Sequence, residues 1–316
     1  MKNLLLLVVL GSTGCVQASL TSPPSLDTEI ETRRCEVGAL AGAASIRAVE
    51  GGLVYAKTSK DDTVLVRRMT GDGCDLTDAG GPSIAAGELL DADDLGNVYT
   101  FPAEATDPDV ISTMLPDEYA GSMVARVDAQ GVVSKLLPAG RGIWGFGVTA
   151  SGDALWVSAC GPNGLFDIAA GTAQPAAWTP GDTLWEQSSS AITDRDTFWS
   201  VGVRTCGPGG ALTPDCGFAL TRSTREGSVE VGTTVIDFGG GFVQTTLARC
   251  GARACGFEPN GAVVWDERGA PIAKLTLADL GADPAEHVVE VTGNEGGLYV
   301  MLAGGAASRV VFVPED

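Results

Sequence analysis

Residues 148–168, VTASGDALWVSACGPNGLFDI, carry the pattern on which the chain is organised. An apolar-rich run passes into a tight polar turn, then into a second run with an outward aromatic, a polar loop and a third run. Short alternating runs bounded by Gly, Asp, Asn and Pro predict strands and turns, with no helical period. The turn-then-aromatic signal returns six times, as EGGLVYA at Tyr55, LGNVYT at Tyr99, SGDALWV at Trp156, RDTFWS at Trp199, GGGFVQ at Val243 and EGGLYV at Tyr299. A strand-like run precedes each signal (SIRAVE, ELLDADD, FGVTA, SAITD, TTVIDF, VVEVTG), and a third follows it (VLVRRM, MVARVDAQG, LFDIAAG, FALTRS, VVWDERG, VVFVPED). A fourth run is visible as VSKLLP, SVEVG and IAKLTL.

This repetition predicts an all-β fold, a β-propeller of six four-stranded blades, with a β-sandwich pair or a seventh, unrecognised blade as alternatives. Successive signals stand 44, 57, 43, 44 and 56 residues apart, so two of the blades, at roughly 40 to 50 residues each, carry insertions. The last repeat stops directly after its third run, whereas RRCEVGAL at residues 33–40 belongs to no repeat. Pairing of that piece as the fourth strand of the last blade would cover both free edges and latch the ring.

Composition narrows the partners. Forty acidic against twenty basic residues give a net charge of −20, which repels phosphate backbones and anionic head groups and argues against nucleic acid. Residues 16–31, VQASLTSPPSLDTEIE, have no period and two adjacent prolines, and read as a flexible tether. The opening MKNLLLLVVLGSTGC resembles a bacterial lipoprotein signal peptide, and that likeness implies residues 1–14 as signal peptide and 15–32 as a tether lipidated at Cys15, ahead of the propeller at 33–316.

Seven cysteines remain once Cys15 is set aside as the lipid site. Cys206 with Cys216, and Cys250 with Cys255, bracket the loop between second and third strands of blades four and five and are expected to form disulfides. Cys35, Cys74 and Cys160 are odd in number, which leaves one thiol free and the pairing open. No metal or other cofactor is expected, because CGARAC lacks a second ligand pair and His287 is the chain's single histidine.

The candidate binding residues sit in three insertions and at one strand head. Residues 102–121 place Asp109, Asp117, Glu118 and Tyr119 in a long loop with an acidic rim and an apolar anchor. Arg141 and Trp144 lie in RGIWGF, and Trp185 and Glu186 in the insertion at residues 179–190. In a propeller, loops joining second to third strands and blade to blade leave from the same face, so all three are expected together. His287 heads the first strand of blade six, where channel-lining strands begin. Asp91, Asp93, Asp94 and Asn97 in DADDLGN imitate a calcium loop but have Leu95 and Pro102 where ligands are required, and read as a polar turn.

Two resemblances add expectations. MKNLLLLVVLGSTGC, with Lys2, an unbroken apolar stretch at residues 4–10 and Gly14 before Cys15, resembles a bacterial lipoprotein signal peptide. That likeness implies cleavage before Cys15, acylation of the cysteine with fatty acid such as palmitate and, with Val16 rather than Asp following, outer-membrane delivery; plain secretion is the alternative. Segments such as SGDALWVSACGPNGLFDI, spread over residues 41–316, resemble the six-bladed superfamily that includes NHL-repeat, virginiamycin B lyase and gluconolactonase families. Those enzymes use a channel metal held by carboxylate, Asn and His side chains, and no matching positions can be assigned here. The favoured expectation is a monomeric, lipid-anchored, non-enzymatic binding or scaffold propeller for a protein or glycan partner, touching membrane through its anchor alone. The alternative is a metal-assisted lyase or hydrolase on a small channel ligand, with His287 and Asp91 as its test residues.

Overall fold

A computed structural model describes residues 34–59, 64–80, 83–102, 122–139, 143–159, 164–169, 172–178, 186–203, 218–233, 246–304 and 307–315. Its strands pair into four sheets, two of four strands and two of eight. Each eight-stranded sheet joins two antiparallel meanders, through Val64–Val66 against Ile84–Ala86 in one and Cys250 against Gly293 in the other, so that six meanders follow one another along the chain. Blade one comprises Ser45–Val49, Gly52–Thr58, Val64–Thr70 and Thr77–Asp78, and blade two Ile84–Ala92, Val98–Pro102, Ser122–Val127 and Val133–Ala139. Blade three runs through Ile143–Val148, Ala154–Ala159, Gly164–Ala169 and Thr172–Pro175, and blade four through Glu186–Asp194, Thr197–Val203, Phe218–Thr224 and Gly227–Thr233. Blade five holds Thr246–Cys250, Arg253–Glu258, Gly261–Trp265 and Pro271–Thr276; blade six holds His287–Asn294, Gly297–Ala303 and Arg309–Pro314.

The fourth strand of blade six comes from the start of the described chain. Cys35 pairs with Phe312 and Glu36 with Val311, and the Val37 amide donates to the Val310 carbonyl at 2.9 Å. The pairing expected of residues 33–40 is therefore present, over two strand residues followed by a short 3-10 turn, Gly38–Leu40.

Apolar side chains form one layer between each pair of neighbouring blades. Strand alternation explains this, because successive residues point to opposite faces of a sheet. In blade one, Val54 and Ala56 pack toward blade two while Leu53 and Tyr55 pack toward blade six. Further layers join blades two and three, three and four, four and five, and five and six. Each blade is thereby held by its neighbours rather than by a core of its own.

The aromatics of the repeat signal are not outward. Tyr99, Trp156, Trp199 and Tyr299 are each at most 1% exposed and fill the layer toward the next blade. Trp156 packs on Phe198 of blade four with ring centroids 4.1 Å apart. A fully buried aromatic contributes about 2 to 3 kcal/mol by area alone, so these positions anchor the interfaces.

The fifth blade departs from the sequence reading. Its first strand is Thr246–Cys250 and its second Arg253–Glu258, whereas Val243 lies outside the described residues. Cys255, wholly buried, stands where other blades put an aromatic, and it is disulfide-bonded to Cys250 across the turn between first and second strands. The expected pair is present, one hairpin earlier than the spacing implied. Cys35 is bonded to Cys74, settling the pairing left open for those two cysteines. Cys160, Cys206 and Cys216 lie outside the described residues.

Candidate functional site: the axial channel

The six first strands stand side by side around a central axis, and each contributes to the lining of one cavity of about 110 Å³. Four charged side chains meet there: Arg47, Asp91, Arg249 and Glu290, from blades one, two, five and six. A first strand pairs with its own second strand along one edge; its other edge faces the neighbouring blade and, apart from Ile84–Ala86 against Val64–Val66 and Cys250 against Gly293, presents amides and carbonyls with no strand partner. Buried groups of that kind require partners, and here side chains of the neighbouring blade supply them.

Glu290 accepts hydrogen bonds from the Ile46 amide at 2.7 Å and the Ser45 hydroxyl at 3.0 Å, and pairs with the Arg47 guanidinium. Thr292 accepts from the Ala48 amide at 2.9 Å. Arg47 donates through Nε to the Leu90 carbonyl at 3.0 Å and lies 3.7 Å from Asp91. Asp91 accepts from the Val148 amide of blade three and its neighbour Ala92, both at 2.8 Å. Ser189 accepts from the Leu247 amide, joining blades four and five, and Arg249 reaches across to the Ala92 carbonyl of blade two at 2.8 Å. The channel charges thus stitch blade to blade.

Electrostatics agree with that role. Burial opposes the Arg47 charge, but Glu290 and Asp91 outweigh it and raise the guanidinium pKa further. Burial raises the Asp91 carboxyl against the pull of Arg249 and Arg47. Burial likewise raises Glu88, a neighbour in the blade two strand, with Arg47 opposing and Glu290 reinforcing.

The DADDLGN segment is a turn whose carboxylates are engaged within the fold. Asp93 is fully buried and accepts from the Asn97 amide (2.9 Å), the Asn97 side chain (2.8 Å) and the Tyr99 hydroxyl (2.9 Å). Asp94 accepts from the Glu50 amide at 2.9 Å. A Cβ on Gly152, whose φ of +67° already favours glycine, would sit 2.3 Å from Asp93 Oδ2. Such crowding leaves this carboxylate closed to a cation.

Of the residues singled out from sequence, Asp109, Asp117, Glu118, Tyr119, Arg141 and Trp185 lie outside the described residues. Trp144 and Glu186 fall in the first strands of blades three and four, near their beginnings. His287 begins the first strand of blade six but is exposed and lines neither channel cavity, so it is not brought together with Asp91. Sequence reasoning missed Arg47, Arg249 and Glu290. Bulges are one reason: register breaks at Ala86/Glu88, Leu89/Asp91 and Val288/Glu290 re-aim side chains out of strict alternation.

A second, larger cavity of about 500 Å³ opens where the first strands begin. Arg47 and Glu290 line both spaces. Its remaining walls come from blades one, two and six, among them Val64, Leu89, Val289 and Met301.

No family model matches the chain, and no curated protein matches it in sequence. Its structure is similar to the β-propeller domain of the Trilobed protease from Pyrococcus furiosus, at 11% identity and a TM-score of 0.50, covering 87% of this chain and 84% of that one. The fold is a β-propeller. Weaker likenesses include YCF48 bound to D1 peptide (8% identity, TM-score 0.48, 89% and 94% covered) and a chain of the nidogen/laminin complex (12%, 0.47, 80% and 89%). At such identities the likeness is one of architecture.

Proposed function

We propose that this propeller is exported, anchored by a lipid on Cys15, and serves as a binding module that holds a protein or glycan partner at one end of its ring. The observation that carries the reading is an asymmetry of connections. At one end the links from first to second and third to fourth strands are short, as at residues 50–51, 195–196, 225–226, 251–252 and 295–296. The strand ends joined by second-to-third and blade-to-blade links stand at the other end, and more of the sequence separates them, as between Pro102 and Ser122, Val203 and Phe218, Thr233 and Thr246, and Thr276 and His287. Long connections concentrated at one end of a rigid scaffold are the usual place for recognition. The channel's charges, by contrast, are engaged in holding blades together.

Deleting residues 103–120 and repeating affinity capture from envelope extracts tests the binding end: capture of a defined partner should be lost, and an unchanged captured set overturns the reading. Cys15→Ser should move the protein from the membrane to the soluble fraction and abolish labelling with a palmitate analogue. Calorimetry with divalent metals addresses the enzymatic alternative. Saturable binding abolished in Asp91→Ala or His287→Ala would replace this reading with metal-assisted chemistry in the channel.

A further inference from the structure

We infer that the larger cavity is a docking pocket for a lysine side chain presented by a protein partner, with Glu88 receiving the ammonium at the mouth of the channel. The inference deepens the binding reading and rests on it. A space of about 500 Å³ lies within the ~300–1,000 Å³ typical of ligand pockets. It opens at the end that carries the long connections, beside the beginnings of the Ser45–Val49 and His287–Asn294 strands.

The lining divides by chemistry. Val64, Leu89, Val289 and Met301, with Ala43 and Ala56, give an apolar wall suited to a chain of methylenes. Three carboxylates, Glu88, Asp91 and Glu290, act on Arg47. Two of them are occupied: both Glu290 oxygens accept hydrogen bonds, and Asp91 accepts two backbone amides. The Glu88 side chain has no hydrogen bond or ion pair among the described residues; desolvation works against its ionised form, Arg47 acts on it at longer range in favour, and Glu290 repels it. Arg47 lines the same cavity but is bound to Glu290 and the Leu90 carbonyl, so an apolar wall with a carboxylate free of hydrogen bonds fits a cation on an aliphatic stem. The flexible four-carbon stem and compact ammonium of lysine match a wall of methyl and methylene groups that ends in one carboxylate. The chain's net charge of −20 favours the approach of a basic partner.

Fluorescence anisotropy at low salt with dye-labelled Ac-Gly-Gly-Xaa-Gly-Gly peptides tests the pocket, where Xaa is lysine, arginine, norleucine or glutamate. The lysine peptide should bind about ten-fold more tightly than the norleucine peptide, as a charge-assisted contact requires. Glu88→Gln should erase that preference, and Ala44→Trp, at an exposed position on the rim, should block every peptide. Ala44 is exposed and the Glu88 side chain gives up no described hydrogen bond, so melting temperatures should stay close to wild type. No saturable binding, equal binding of lysine and norleucine peptides, a stronger arginine peptide, or a Glu88→Gln protein that binds like wild type each overturns the proposal. The probes are synthetic and the loop at residues 103–120 is left intact, so this failure is distinct from failure of the capture experiment.

Discussion

Cys35, in the short strand that completes blade six, is disulfide-bonded to Cys74, in the loop that leaves the third strand of blade one. The bond therefore crosses the seam where the ring is joined. Around it, Val37 and Leu40 pack with Ile46, Met69 and Leu76 of blade one and with Tyr299 and Phe312 of blade six. Two paired strand residues are a weak hold alone, so the bridge reinforces this joint.

Reduction should therefore weaken the closure more than any single hairpin. A bridge spanning 39 residues restricts the unfolded chain by about 4 kcal/mol in the loop-entropy model. Cys35→Ser/Cys74→Ser should lower the melting temperature by roughly 5 to 10 °C. Limited proteolysis should then cut first near residues 35–44 in the variant and not in the oxidised protein. The bridge between Cys250 and Cys255 spans a separation of only 5, so its removal should cost less.

Tyr299 makes the same seam sensitive to alkali. Its hydroxyl accepts the Gly73 amide at 3.0 Å, and a Cβ on Gly73 would press on the Phe312 ring at 2.8 Å. Burial chiefly, with the Asp72 charge, pushes the phenol up to about 12. The folded value lies above the unfolded one near 10, so this stabilisation is complete below pH 10 and is lost as pH rises through about 12. Denaturant unfolding should show wild type about 1 kcal/mol more stable than Tyr299→Phe at pH 8, from the lost hydrogen bond. The gap should close between pH 10 and 12, and a constant gap would refute the assignment.

Glu286 and Arg309 give the opposite sign. Arg309 donates to both Glu286 oxygens, at 2.8 and 2.7 Å, and to the Gly281 carbonyl at 2.8 Å, fastening the third strand of blade six to the loop entering that blade. Hydrogen bonding to Arg309 holds the Glu286 carboxyl below its ordinary value of 4.5 despite burial. That stabilisation is full above pH 4.5 and is lost as pH falls through the lowered folded value. Glu286→Gln should cost about 2 kcal/mol at pH 7. The cost should shrink in acid, read as converging urea midpoints between pH 5 and 3.

Much of this architecture is legible in the sequence because blades repeat. Tyr99, Trp156, Trp199 and Tyr299 mark second strands, since each interblade layer needs bulk at the same height. The fifth blade misleads for the same reason: GGGFVQ imitates the turn signal, while Cys255 and its disulfide replace the aromatic. The latch could be inferred because the last blade lacks a fourth strand in its own stretch of sequence. The channel could not. Arg47 and Glu290 are separated by 243 positions, and each reads locally as an ordinary polar residue on a half-exposed strand. Only ring closure brings them together.

That closure makes the Arg47 and Glu290 pair the decisive test of what the channel is for. Glu290 satisfies the Ile46 amide, the Ser45 hydroxyl and the Arg47 guanidinium together, so Glu290→Ala strands three donors, one of them charged. Breaking one side of a buried pair typically costs about 3 to 5 kcal/mol, because the remaining charge stays desolvated. Arg47→Met should cost less, since the freed carboxylate keeps its two other donors. In the double variant Arg47→Met/Glu290→Leu the unpaired charge disappears, and stability should recover to within about 2 kcal/mol of wild type. A coupling energy above about 1 kcal/mol from the four-protein cycle would establish the pair as a structural clasp. Additive losses would mean that the two side chains act independently, and the stitching role assigned to the channel would fall with them.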